Sequence, residues 1–172
     1  MDIQAKIISA LSESMKVDYI RLENDDGITG FVVSPDFKRL SSLDRIDLID
    51  QALIKSTIPL SPQEQRQVFM IAGLSPEEYD VVGTRIRIHR IKELPRGAIK
   101  IVLSGNLTDA EYVRSVLNQA GSFKTTAPKP VSDAPGILIS ITAKSSDPTG
   151  LTRDSVIQIL KSDRYLEVMA GA

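Results

Sequence analysis

The most regular pattern of apolar and polar residues lies between residues 17 and 55. Apolar and polar residues alternate over 17–23, and an apolar run returns over 28–34 after the polar turn Asn-Asp-Asp-Gly. A period of two residues is typical of a half-buried strand, and a glycine closing a short polar turn favours a hairpin. From Ser42, the predicted cap, the period becomes helical, with a predicted buried stripe of Leu43, Ile46, Ile49 and Leu53.

Three more helices are predicted in the first half. Residues 2–14 carry apolar side chains at helical spacing. The sequences Ser-Pro-Gln-Glu at 61–64 and Ser-Pro-Glu-Glu at 75–78 both have the serine, first-turn proline and third-position glutamate of a helix start. We expect the first of these helices to reach Ala72 and the second to end at Gly83.

The second half is predicted to contain both strands and helices. A proline-rich surface loop is expected over 122–136. The other predicted elements are strands at 84–91, 99–103 and 137–143 (the last with Ile137, Ile139 and Ile141 on one face), helices at 108–121 and from Thr152, and a last strand or docked tail at 165–169.

These elements predict an α+β protein with two domains, residues 1–83 and 84–172. The first is expected to be an α-β-β-α unit followed by two more helices, and the second to be a small α/β unit of mixed sheet, with helices on one side. A chain of 172 residues, of which 42% are hydrophobic, is large enough for one ordinary domain or two small ones.

Composition excludes several kinds of chemistry. The chain has no cysteine and a single histidine, His89, so thiolate sites, disulfides and histidine metal clusters are excluded. No apolar run approaches the ~20 residues that a membrane helix needs, and the N-terminus does not resemble a secretion signal. We therefore expect a cytoplasmic protein with no membrane association, no metal site and no catalytic residues.

Charge is divided unevenly along the chain. Residues 1–83 contain 8 Lys/Arg and 14 Asp/Glu, whereas residues 84–172 contain 13 and 8. A basic stripe on the strand that opens the second half is a candidate anion or nucleic-acid site, comprising Arg85, Arg87, His89, Arg90 and Lys92. The alternative is that the two halves simply complement each other in charge. A pI near 5.9 and the lack of a GxxG loop or stacking aromatics oppose nucleic-acid binding.

Other candidate sites have simpler explanations. Asp44, Asp47 and Asp50 recur on one side of a helix and are a candidate protein-interaction face, although a solvated helix face is the simpler explanation because three carboxylates on a straight helix surround no shared point. The turn at 104–106 precedes a helix and could hold an anion, and His89 could act as a general base. A plain strand-to-helix turn and a solvent-facing histidine are the alternatives.

One family resemblance rests on the first half of the chain. Its parts are the N-terminal helix, the hairpin ending in Gly-Phe-Val-Val-Ser at 30–34, the segment Phe-Lys-Arg-Leu-Ser-Ser-Leu-Asp-Arg at 37–45, and Leu-Ser-Pro-Glu-Glu at 74–78. Together they resemble BolA-like proteins over about half the chain. The resemblance implies a KH-like α/β sandwich and, in the family, an iron–sulfur cluster that a histidine shares with a monothiol glutaredoxin.

The sequence departs from this family at the residues that carry its chemistry. Ile46 stands where the family has a histidine, Asp47 where a basic residue is usual, and Gln67, within a predicted helix, where the signature histidine belongs. A glutamine amide is a poor iron ligand, and an acidic helix is repelled by phosphate. We therefore expect neither a glutaredoxin partner nor an iron–sulfur cluster, and no other cofactor.

The leading hypothesis is a non-catalytic protein-interaction or regulatory module whose partner is another protein or a second copy. Its basis is a well-capped scaffold that lacks a phosphate-binding glycine loop, a nucleophile elbow and a metal cluster. The alternatives are a nucleic-acid-binding protein that uses strand 85–92, and an enzyme of a class that the sequence does not reveal.

Overall fold

A computed structural model describes residues 2–121, 123–131, 138–145 and 151–172. Helices and mixed sheets form an α+β protein, as predicted. The chain divides into two compact units, Met1–Gly83 and Thr84–Ala172.

The first unit packs helices on a three-stranded sheet. Strand β2 lies at the centre, antiparallel to β1 and parallel to β3. Buried aliphatic side chains and Phe37 join this sheet to α1 and α2. The elements are α1 (Ile3–Ser14), β1 (Tyr19–Asn24), β2 (Ile28–Val33), α2 (Ser42–Lys55), α3 (Pro62–Gln65), β3 (Val68–Leu74) and α4 (Pro76–Val82).

The prediction that the helix after Ser61 reaches Ala72 is wrong. Helix α3 spans only four residues, and the chain then forms β3, so Gln67 directly precedes a strand. The capping box of Ser61 and Glu64 is present but serves a single turn. The following Val-Phe-Met-Ile has high strand propensity and pairs in parallel with β2, which explains the difference.

The buried face of α2 also differs from the prediction. Ser41 rather than Ser42 is its N-cap. Leu43 and Ile46, predicted to be buried, are 74% and 48% exposed, while Ile49 and Leu53 are buried. The helix is rotated so that Arg45 points towards the end of β3, where its Nη1 donates to the Gly73 carbonyl. The ion pair and hydrogen bonds of Arg45 decide the orientation of the first turn.

The second unit has the predicted order β-β-α-β-α-β, with two short additional strands. Its sheet runs β6-β8-β5-β4-β9, and β7 also pairs with β8. All pairs are antiparallel except β4 with β9. The elements are β4 (Ile86–Leu94), β5 (Ala98–Ser104), α5 (Leu107–Gln119), β6 (Phe123–Thr125), β7 (Lys129–Pro130), β8 (Leu138–Ser145), α6 (Arg153–Ser162) and β9 (Leu166–Val168).

Three details of the second unit differ from the prediction. The capping box of α5 joins Asn106 and Asp109, so the helix begins at Leu107, one residue before the predicted start at 108. Part of the predicted loop at 122–136 forms β6 and β7, because both segments add to the edge of β8. Residues 132–137, with Ile137, lie outside the described residues.

The core of the second unit lies on one face of its sheet. Alternate residues of β4, β5 and β8, such as Ile88, Ile101 and Ile141, are buried, together with apolar residues of α5 and α6. Apart from the buried Ala98, the residues on the opposite face of these strands are exposed or half-buried. No helix among the described residues is long and apolar enough to cross a membrane.

Candidate functional site

The exposed side of the second sheet is strongly basic. Residues directly opposite in neighbouring strands project from the same face of a sheet, so the strand register identifies its members. We call this surface the basic face; its cations are Arg87, Arg90, Lys92, Lys100, Lys124, Lys129 and Lys144.

A β-bulge at His89 keeps the arginines of β4 on this face. Arg87 pairs with Ser104 and Arg90 with Val102, and the register shifts between them. Side chains alternate between faces in a regular strand, so two residues three positions apart would point in opposite directions. The extra residue at the bulge places Arg87, Arg90 and Lys92 on one side, while Ile88 and Ile91 remain buried.

Two pairs of lysines face each other directly across the strands. Lys92 is opposite Lys100, and Lys124 is opposite Lys144. Like charges directly opposite in a sheet are destabilising. The fold therefore carries an electrostatic cost at this face, and a bound anion would remove it.

Within the described residues, acids provide little neutralisation of the basic face. Glu167 of β9 lies 3.8 Å from Arg87, at one edge of the sheet. Arg90, Lys92 and Lys100 form no ion pair with any described residue. Three cations at the centre of the sheet are thus available to an external anion.

A cavity of about 460 Å³ opens on this face. Its walls combine aliphatic side chains with cationic ones, and the sheet register places Val102 between Arg90 and Ser140. The lining residues are His89, Arg90, Lys92, Leu94, Lys100, Val102, Val131 and Leu138.

His89 and Ser104, both candidates from the sequence, are in contact. His89 Nε2 and Ser104 Oγ lie 2.9 Å apart on the exposed face. A serine beside a histidine is the pair used in nucleophilic catalysis, but that chemistry also needs a group that orients the imidazole. Among the described residues, no carboxylate hydrogen-bonds to this ring. The contact fixes the His89 ring on the bulge.

The turn at 104–106 is closed to an anion by the cap of α5. Asp109 is fully buried, and its carboxylate accepts a hydrogen bond from the Asn106 backbone N–H at 2.9 Å. The Asn106 side chain in turn accepts from the Asp109 N–H. A buried carboxylate at the helix N-terminus already occupies the position that a bound anion would take.

The acidic residues of α2 do not act as a set. Asp44 belongs to the cap, since its carboxylate accepts the hydroxyl of Ser41 at 2.6 Å. Asp47 and Asp50 are exposed, between the apolar side chains of Ile46 and Ile54, which are also exposed. No group of three or more histidine or carboxylate residues within the described part of the chain could hold a metal ion.

Two carboxylates of the first unit are paired with cations. Arg45 makes a bidentate contact with Glu78, at 2.6 and 3.0 Å, and Glu78 also accepts the Ser75 backbone N–H. The hydrogen bond from Arg45 lowers the pKa of Glu78 to about 2. The pKa of Glu64 also falls to about 2, chiefly through the hydrogen bond from Lys6.

The stripe predicted from the sequence contains three of the seven cations that define the basic face. Arg87, His89, Arg90 and Lys92 lie on it, whereas Arg85 precedes β4 and is exposed. The sequence placed Lys100 near the stripe, whereas Lys124, Lys129 and Lys144 were missed. The alternation in Ile-Lys-Ile-Val-Leu and in Ile-Ser-Ile-Thr-Ala-Lys indicates which side chains point away from the core. Only the strand order shows that these side chains share one face.

A solved structure is similar to about half of the chain. No family model and no curated protein matches the chain. The chain is similar to the crystal structure of a Bol-like protein from Babesia bovis, with 18% sequence identity and a TM-score of 0.37, over 48% of this chain and 94% of that one.

Proposed function

We propose that the chain is a non-catalytic binding module whose basic face holds the phosphate backbone of a nucleic acid. One observation carries the proposal: two pairs of lysines oppose each other on an exposed sheet face that also presents Arg87, Arg90 and Lys129. Such repulsion has no structural benefit, whereas phosphates would remove it.

The spacing of the cations suits a chain of phosphates. Arg90 and Lys92 are two residues apart in β4, so they are separated by about 6.6 Å along the strand. Lys100 and Lys144 continue the charge across β5 and β8. A ladder of charges across several strands matches an extended polyanion better than a single small anion.

The overall pI does not oppose this proposal. The chain as a whole has a net charge of −1, but its acids are concentrated in residues 1–83. Contacts with phosphate depend on the charge of the surface that meets it, because charges farther than about 10 Å are screened at 0.1 M salt. The proposal therefore rests on the local charge of the basic face and not on the total charge of the chain.

The proposal is tested by oligonucleotide binding at several salt concentrations. We expect a labelled 20-mer to bind in fluorescence anisotropy, with affinity that falls steeply as NaCl rises. In the triple variant Lys92→Gln, Lys100→Gln, Lys144→Gln, the affinity should fall about 30-fold, and the magnitude of the salt slope should fall by about 2.

A matched variant removes the same charge from the first unit. Lys16, Lys38 and Lys55 are all exposed there, so the variant Lys16→Gln, Lys38→Gln, Lys55→Gln should retain affinity within about threefold. Equal losses in the two triple variants would show non-specific attraction and would contradict a site on the basic face.

A second proposal concerns a protein partner on the outer side of α2. Leu43, Ile46 and Ile54 are 74%, 48% and 53% exposed, and lie at helical spacing on one stripe with Asp50. Exposed apolar groups that share a helix face are typical of interaction surfaces. If this stripe mediates self-association, sedimentation velocity should show a dimer that the double variant Leu43→Lys, Ile54→Lys abolishes. If the wild-type protein remains monomeric when its concentration is raised 100-fold, self-association is rejected.

A further inference from the structure

We infer that the cavity on the basic face receives an unstacked base, so that the module selects single-stranded over double-stranded nucleic acid. This inference rests on the proposed function and specifies its ligand. It starts from the apolar residues of the cavity, which phosphate binding does not explain.

The floor of the cavity is aliphatic. Val102 projects from β5 on the same face as Lys100, and Leu138 projects from β8 opposite Ser104. Leu94 and Val131 complete the apolar lining. All four side chains are half-buried. A phosphate gains nothing from contact with such groups, whereas the flat face of a base or the carbon atoms of a ribose would bury apolar area there.

The cations surround this floor rather than lie apart from it. Arg90 is directly across from Val102, and Lys100 and Lys92 form the next cross-strand pair along. Adjacent pairs on one face are about 6.6 Å apart, which is near the dimension of one nucleotide. A base on Val102 would therefore place its own and its neighbour's phosphates within reach of Arg90, Lys92 and Lys100.

The volume agrees with this occupant. A cavity of about 460 Å³ falls within the range of small-molecule sites, about 300–1,000 Å³. Among the described lining residues, the aromatic ring is the imidazole of His89, and the rest of the apolar lining is aliphatic, so the base would lie mainly against aliphatic groups. In a duplex the bases are stacked and paired inside the helix and cannot reach a sheet floor, whereas a single strand can present them outward.

Electrostatics alone predicts the opposite preference. A duplex has the higher charge density and the steeper salt dependence, about −0.9 per phosphate neutralised compared with −0.7 for a single strand. A surface that recognises only charge would therefore bind a duplex at least as well as a single strand. Preference for the single strand would require contact with bases.

The first experiment compares two labelled DNA ligands with the full chain at the same salt concentration. The ligands are a 12-nucleotide oligothymidylate and its duplex with oligodeoxyadenylate. We expect the single strand to bind at least about fivefold more tightly.

The second experiment changes the floor without changing charge. Val102→Thr replaces one methyl with a hydroxyl at nearly constant volume, and should weaken single-strand binding by about three- to fivefold while leaving duplex binding unchanged. Thr142→Val, on the neighbouring strand of the same face, is the matched control and should leave both affinities unchanged. Leu138→Ala provides a second test of the floor, and thermal melting confirms that each variant is folded.

The outcomes separate this inference from the proposed function. If the duplex binds as tightly as the single strand, or if Val102→Thr weakens both equally, the base site is wrong and the phosphate-binding face stands. If neither DNA binds, both proposals fail. Polyglutamate provides a last comparison. If it binds as tightly as the oligonucleotide, and Val102→Thr changes neither affinity, the face recognises acidic protein and the base site is rejected.

Discussion

One charged site in the first unit and one in the second differ in whether their cations are paired with acids. In the first unit, the side chain of Arg45 is only 13% exposed and contacts both the Glu78 carboxylate and the Gly73 carbonyl. In the second unit Lys92 and Lys100 face each other on an open sheet, without an acid beside them in the described structure.

This difference separates charges that stabilise a fold from charges that are available to a ligand. A partly buried bidentate pair joins α2 to the start of α4 and contributes stability. Opposed lysines on a sheet reduce stability. The same residue types therefore have different consequences, which mutation can distinguish by measuring stability and binding together.

The largest expected effect on stability is at Arg45. Arg45→Ala should lower the free energy of unfolding of the first unit by about 2–3 kcal/mol, since the Gly73 carbonyl and Glu78 lose a charged donor. Nucleic-acid affinity should be unchanged. Urea denaturation of the full chain gives the total, and hydrogen exchange assigns the loss to amides of residues 2–83.

An exposed ion pair provides the control. Lys38 and Glu77 are 63% and 60% exposed and 3.3 Å apart. Lys38→Ala should therefore change stability by less than about 0.5 kcal/mol. A loss as large as that of Arg45→Ala would mean that burial does not explain the difference between the pairs.

Acid should destabilise the first unit through Glu78. Its pKa is lowered from 4.5 to about 2 by the hydrogen bond from Arg45. A carboxyl whose pKa is lower in the folded state contributes stability above its unfolded pKa, and this contribution is lost as pH falls from about 4.5 towards 2.

Glu78→Gln shows whether this carboxyl is responsible. At pH 7 the variant should be less stable than the wild type, and the gap should narrow as pH is lowered from 5 to 2.5. Stability curves measured by chemical denaturation at each pH test this. A gap that stays constant over that range would exclude an ionic contribution from Glu78.

The smallest expected effect distinguishes the basic face most sharply. Lys92→Gln should raise stability by about 0.3–0.5 kcal/mol, because the repulsion with Lys100 is relieved, while it weakens DNA binding. The stability gain should shrink at 0.5 M NaCl, where screening already reduces the repulsion. A variant that loses both stability and binding would indicate that Lys92 has a structural role.

Local patterns predicted most elements and the α+β class, because capping boxes and alternating strands are encoded by neighbouring residues. The errors came from distant contacts. Residues 68–74 resemble the continuation of a helix in sequence, but they form a strand because they pair with β2. Leu43 and Ile46 fit a buried stripe by their spacing, but the contact of Arg45 with Glu78 orients the helix so that both are exposed. Secondary-structure patterns do not contain this information.

The candidate site shows the same limit. The stripe on β4 was visible from its sequence, but the bulge at His89 and the neighbouring lysines of β5, β6 and β8 depend on sheet order and register. The opposed pairs involve residues 8 and 20 positions apart, counted as Lys92 to Lys100 and Lys124 to Lys144. Their repulsion, which carries the proposed function, is absent from any local pattern.

Chemical-shift mapping tests the central claim most directly. A ¹⁵N-labelled full chain is titrated with a single-stranded oligonucleotide, and amide shifts are followed for both units. We predict that the largest changes fall on β4, β5 and β8, around Arg90, Lys100 and Val102, and disappear in 0.5 M NaCl. Changes concentrated on α2, or no changes at saturating oligonucleotide, would contradict the account.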